Sequence, residues 1–146
     1  MLSLNEIDMD MLTTAMENHG YDFRWWLDPQ TGQLDMAGDS VDDALSEEEL
    51  EERGAIFVEP VESHEGCADM EDFIDGLEDQ RAREALLAAI NRSRPFRHFK
   101  DTLYDFPELQ DQWYAFHEAR MRRRAIEWLV YVGVVDEQEA QRALEE

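Results

Sequence analysis

The stretch that most restricts the fold is PELQDQWYAFHEARMRRRAIEWLVYVG, residues 107–133, where a proline opens a long run of helical rather than alternating periodicity. Proline is favoured in a first helical turn, because its missing N–H has no intrahelical partner there and its φ is already helical. The spacing therefore predicts a long helix from Pro107, ended by VGVV. At about 100° per residue, Leu109, Trp113 and Phe116 form one apolar stripe. The same angular face continues as Arg120, Arg123, Arg124 and Glu127. A second stripe, Tyr114, Met121, Ala125, Trp128 and Val132, runs further. Two readings follow: the helix kinks near His117, or it leaves the core on one side and shows Arg120, Arg123 and Arg124 to solvent or to an acidic group. Pairing of those arginines with acidic residues of the first half is the competing, internal use.

The charge distribution sharpens that question. The 146 residues carry a formal net charge of −23. Residues 1–80 hold 24 Asp and Glu against two bases, Arg24 and Arg53, whereas residues 81–146 hold 12 acids against 11 bases. Within residues 81–124 the balance is positive, ten bases to six acids. This length suits one α+β domain spanning 1–146, with an acidic half, 1–80, and a more basic helical half, 81–146. Acid content of this kind, with one lysine and twelve arginines, suits a salt-tolerant source or simple solubility. Mimicry of nucleic acid by an acidic surface is the more specific alternative. Binding of nucleic acid is unfavoured, because affinity for it rests on neutralising phosphates.

Cys67 is the only cysteine, so no intramolecular disulfide is expected and a reducing compartment fits. The N-terminal MLSLNEIDMDML lacks the basic start and continuous apolar run of a secretory signal. No segment approaches the roughly 20 apolar residues that span a bilayer. A soluble cytoplasmic protein is the expectation.

Along the chain, Leu4, Ile7, Met11, Leu12 and Ala15 predict a first helix that ends before NHG at Gly20. YDFRWWLD, PQTG and QLDMA predict a β-hairpin, with Asp28 and Pro29 opening the turn and Gly32 in the left-handed region. GDSVDDAL reads as an acidic loop, and SEEELEERG as a short helix capped by Ser46 with Glu49 and stopped by Gly54. AIFVEPV predicts a third strand whose end Pro60 keeps out of a sheet interior. ESHEGCAD reads as a loop, followed from about Met70 by two helices or one bent helix. NRSRP breaks that run. A short helix from Pro95, the long one from Pro107, and a final helix capped by Asp136 and Glu139 complete an α+β fold: an N-terminal helix, a small antiparallel sheet of about three strands, and a mostly helical C-terminal half.

Candidate binding residues stand in three stretches. In RPFRHFKDTL, helical spacing brings Phe96, Phe99 and Leu103 together as an inward stripe. Arg97 is answered by Asp101 at i, i+4, and Arg94 and the only lysine, Lys100, remain as an exposed basic edge. In the hairpin, Trp26 shares a face with Asp22, Arg24 and Asp28, a large ring among charges. It is either covered by a helix, stacked by Arg24, or an anchor for a partner. Arg120, Arg123 and Arg124 supply the third. His64 and Cys67 lack a second ligand pair, so no metal is expected, and His98 and His117 lack the companions of a catalytic base. No Gly-rich phosphate loop is present. Neither catalytic residues nor a cofactor are expected.

At FRHFKDTLYDFPELQDQWYAFHEARMRRRAIEWL the chain resembles the bacterial group known as uncharacterised protein family 0158, and YDFRWWLDPQTGQL is similar to that family's N-terminal hairpin segment. Phe96, Phe99, Lys100, Leu103, Pro107, Leu109, Trp113, Tyr114, Phe116 and Trp128 carry the match in the second block. The resemblance implies a bacterial, cytoplasmic protein and transfers no activity. Most of the matching positions are also core positions; Lys100 is the exception.

Together these features point to a non-enzymatic interaction or regulatory module that binds an acidic or aromatic protein partner through an Arg-rich helix face. Two alternatives stand beside it. One is a small enzyme in which Asp101 or Glu118 converges with His98 or His117; the other is an acidic surface that binds a basic protein or mimics nucleic acid.

Overall fold

The structure is a computed structural model that describes residues 1–18, 24–37 and 46–145. Among the described residues the fold is α+β, with a three-stranded antiparallel sheet and seven α-helices. Two compact units are formed, Met1–Pro60 with Met121–Glu146, and Val61–Arg120.

In the first unit the chain starts with a 3₁₀ turn, Leu4–Glu6, and helix α1, Met9–Met16. The expected single helix is split because Ile7 is extended (ψ 134°) and Asp8 caps α1, its carboxylate accepting the Met11 N–H at 3.0 Å. The Gly20 stop lies outside the described residues, as does the acidic loop GDSVDDAL. Strands β1, Arg24–Leu27, and β2, Leu34–Ala37, form the expected hairpin, with Leu27 opposite Leu34. Asp28 orders the turn by accepting the Gln30 N–H, and Gly32 is left-handed at φ 79°. A side chain at Gly32 would also stand 2.5 Å from the Glu6 carbonyl oxygen, so glycine there lets the hairpin sit on the N-terminal turn.

Helix α2, Glu47–Glu52, begins where Ser46 accepts the Glu49 N–H. It ends in a Schellman pair, Gly54 N–H to Glu51 and Ala55 N–H to Leu50, with Gly54 at φ 81°. Strand β3 is only Ile56–Phe57 and pairs antiparallel with β1, giving the order β2-β1-β3. Helix α7, Glu137–Glu145, closes the unit. The Ala140 N–H reaches the Asp136 carbonyl, while Glu139 accepts the Leu4 N–H at 3.0 Å. The Leu2 N–H meets the Val134 carbonyl at 2.9 Å, so both ends of the sequence belong to one unit.

The second unit is helical. Helix α3, Ser63–Asp75, overturns the expected loop at ESHEGCAD. The missed signal is Glu62 with Glu65: Glu65 accepts the Glu62 N–H at 3.3 Å, the reciprocal contact of a capping box three residues apart. The glycine that suggested a loop, Gly66, sits in the second helical turn, where glycine costs about 1 kcal/mol relative to alanine. Its place is explained by Phe96, whose Cε1 and Cζ lie 2.7 and 2.9 Å from where a Cβ on Gly66 would stand. Helices α4, Gln80–Ile90, and α5, Pro95–Leu103, follow, so the apolar groups after Met70 belong to two helices. Asp79 caps α4 by accepting the Arg81 and Ala82 N–H groups. The core gathers Met70, Phe73, Ile74, Leu86, Phe99, Leu103 and Trp113. Its aromatic rings meet edge-on, Phe99 to Trp113 at 4.7 Å and Phe73 to Trp113 at 5.3 Å.

Helix α6, Pro107–Tyr131, runs through His117 without a break in its helical hydrogen-bonded course. Its buried positions advance mostly four residues at a time, Leu109 and Trp113, then Met121, Ala125 and Leu129. Each four-residue step turns about 40°, so the buried line winds roughly 200° around the helix from Leu109 to Leu129. The two apolar stripes expected for this helix are the two ends of that line. Tyr114, expected to begin the second stripe, lies off it and is 56 % exposed.

Candidate functional site

The helical unit concentrates cations at one turn. Residues 91–100, NRSRPFRHFK, hold four bases and no acid, and Arg92, Arg94, Arg97 and Lys100 are all exposed. Local backbone chemistry explains the turn. Proline disfavours the right-handed helical region in its predecessor, and Arg94 here adopts φ 56°, ψ 60°, the left-handed region, at about 1–2 kcal/mol for a residue with a Cβ. It is the one non-glycine residue with positive φ among the described residues. Pro95 then occupies the first helical position, and the Arg94 carbonyl accepts the His98 N–H at 3.1 Å.

On α5 the expected inward stripe is corrected at one end. Phe99 and Leu103 are buried at 1 % and 3 %, but Phe96 is 42 % exposed, because it packs on the Gly66 backbone rather than in the core. Phe96 and Lys100 are four residues apart and neighbour one another on the outer side. Arg97 lies 4.0 Å from Asp101, both well exposed, a pair worth at most about 1 kcal/mol. Among the described residues, Arg92, Arg94 and Lys100 have no ion pair.

The arginines of α6 are used differently. Arg120 bridges Asp72 at 3.1 Å and the buried Asp69 at 3.6 Å, and its guanidinium covers the Phe116 ring at 4.8 Å. This is the internal pairing with the acidic half, and it occupies the charge that an outside partner would need. Arg123 is exposed and paired with Glu127 at 3.1 Å within its own helix. Arg124 is half-buried, with Nη1 3.8 Å from the Met121 sulfur. The three do not make one open basic face.

Trp26 is 6 % exposed and packs in a cluster with Ala37, Leu50 and Phe57, 5.6 Å from the Phe57 ring. Helix α2 brings Leu50 into that cluster, so the indole is a core group and not a surface anchor. Arg24 stacks on Phe57 at 5.7 Å rather than on Trp26, and reaches Glu47 at 3.8 Å. His64 lies 3.1 Å from Glu62, and Cys67 is a free, half-buried thiol on α3. Among the described residues no group of three His, Cys, Asp or Glu could hold a metal ion. Of the pairs that an enzyme would need, Asp101 faces Arg97, and His117 stacks on Trp113 at 5.3 Å.

Arg92 and Phe96 were not singled out as contact residues by the sequence. The signal for Arg92 was available, a ten-residue run without a single acid; the signal for Phe96 was not, because helical spacing alone assigns it to the core. No helix among the described residues is long and apolar enough to cross a membrane.

What fold and surface define is an α+β protein with a basic, aromatic-bearing turn on its helical unit. The chain belongs to the Uncharacterised protein family (UPF0158), whose model matches residues 5–143. It is similar to the UPF0158 protein PA5073 of Pseudomonas aeruginosa, at 32 % identity over 127 residues, covering 84 % of this chain and 80 % of that protein. No solved structure matches.

Proposed function

We propose that this chain is a non-enzymatic interaction protein that engages an acidic partner through the turn between α4 and α5 and the outer side of α5. One observation carries the reading: in a chain of net charge −23, residues 91–100 hold four exposed cations and no carboxylate. A cation already held by its own chain has little to offer an external anion. Among the described residues, Arg92, Arg94 and Lys100 form no ion pair in spite of the abundance of acids elsewhere. Backbone strain clusters where function requires it, and the left-handed Arg94 lies in the middle of this run. The half-buried free thiol of Cys67 accords with a reducing, cytoplasmic setting.

The test is affinity capture with the wild-type chain and a variant carrying Arg92→Ala, Arg94→Ala and Lys100→Ala, followed by titration of the purified partner. The triple variant is expected to bind about tenfold more weakly or worse, with the difference shrinking as salt is raised. Arg123→Ala, which removes a cation already paired with Glu127, is expected to bind as wild type. Equal affinity of the folded triple variant and the wild type would overturn the proposal.

A further inference from the structure

Phe96 is held on the surface by a feature that folding alone does not favour. A large aromatic ring, 42 % exposed, rests on α3 at the one position where the helix has no Cβ. Alanine at residue 66 would suit the helix better. Glycine gives up that preference and leaves room for the Cε1–Cζ edge of the ring against the backbone, while 42 % of the residue stays open to solvent. Arg94 gives up backbone comfort two residues before the same ring, and Lys100 follows it by one helical turn.

We infer that Phe96, seated on Gly66 and flanked by Arg94 and Lys100, is a preformed apolar anchor, and that its occupant is a short acidic peptide segment of another protein with a large apolar side chain between its carboxylates. This rests on the interaction reading above and names the partner's chemistry. Cations beside an exposed aromatic also suit single-stranded nucleic acid, whose bases stack on such rings. Extent decides between them. The nine residues of α5 span only about 13 Å. Beyond Lys100 the chain turns acidic again, with Asp101, Asp105 and Glu108. A strand carrying a phosphate at every nucleotide would run off the patch onto like charge, whereas two or three carboxylates around one apolar side chain end where the patch ends.

The experiment uses the full chain and an array of synthetic nonapeptides with four Asp or Glu residues around a central position occupied by each amino acid in turn. Lysine-substituted peptides and the oligonucleotides dT10 and dA10 serve as competitors. Wild type is expected to prefer Phe, Tyr, Trp, Leu or Met at the centre over Ala or Gly by at least about fivefold. Phe96→Ala is expected to abolish that preference and keep the weaker binding to acid alone. Gly66→Ala is expected to do the same while melting no lower than wild type, because the new methyl displaces the ring without harming the helix. No dependence on the central residue, or unchanged preference in Phe96→Ala, would overturn the anchor while leaving the basic patch standing. Binding of acidic peptides no better than lysine-substituted ones would defeat both readings. Stronger binding of dT10 or dA10 than of any peptide would defeat the choice of occupant.

Discussion

Asp69 keeps a carboxylate in the interior with 1 % of its surface exposed, and Arg120 meets it from α6 at 3.6 Å while holding the more open Asp72 at 3.1 Å. A buried carboxylate that loses a cationic neighbour is left with part of its desolvation unanswered, whereas an exposed one is rehydrated. Arg120→Ala is therefore expected to destabilise the fold by about 1–3 kcal/mol. Asp72→Ala, which leaves the buried contact in place, is expected to change it by at most about 1 kcal/mol. Urea denaturation of the two variants checks this, and equal losses would show that Asp69 draws its support from elsewhere. The same residues mark what single positions disclose. Helical spacing put Arg120, Arg123 and Arg124 near one face of α6, but only tertiary packing sets Asp69 and Asp72 before Arg120. Trp26 is a similar case: alternation set it among charged neighbours in β1, and the arrival of α2 from further along the chain buried it.

At the level of elements, the starts and stops that use local chemistry were legible. Ser46, Pro95 and Pro107 each satisfy or remove an N–H at the first turn of a helix, and no distant residue is needed. Asp79 takes two such N–H groups, so Asp79→Ala is expected to cost about 1 kcal/mol, and Asp79→Asn much less. Thermal denaturation of the pair against wild type reads the difference; an equal loss in both would assign the effect to charge rather than to capping. Three elements escaped, the first being α1, whose cap at Asp8 lies inside the apolar run that was read as one helix. The start of α3 was hidden because its cap is a glutamate and its second turn contains a glycine whose reason lies in Phe96, thirty residues later. The single rotating face of α6 was hidden because a four-residue repeat drifts against the 3.6-residue turn, so its two ends look like separate stripes.

For the molecule as a whole, the net charge of −23 is a self-repulsion that every compact state must carry. Counter-ions screen it, with a Debye length near 10 Å at about 0.1 M salt. The melting temperature is accordingly expected to rise as NaCl increases from about 0.05 to about 0.5 M, where the screening length falls by about threefold. A flat or falling melting temperature would show that ion pairs such as Arg120 with Asp72 outweigh the repulsion. The division of the chain also belongs to this scale: residues 121–146 join the first sixty, tied by Leu2 to Val134 and by Leu4 to Glu139. Those hydrogen bonds link positions more than 130 residues apart, and no local pattern announces them. By itself the sequence determined the α+β class, the hairpin, most helix boundaries and the basic run at 91–100, because periodicity, capping and charge act within a few residues. Only the tertiary structure decided that Arg120 is spoken for, that Trp26 is interior and that Phe96 stands at the surface. Burial and ion pairing depend on which distant segment arrives beside a side chain, and the side chain's own neighbours in sequence do not specify that.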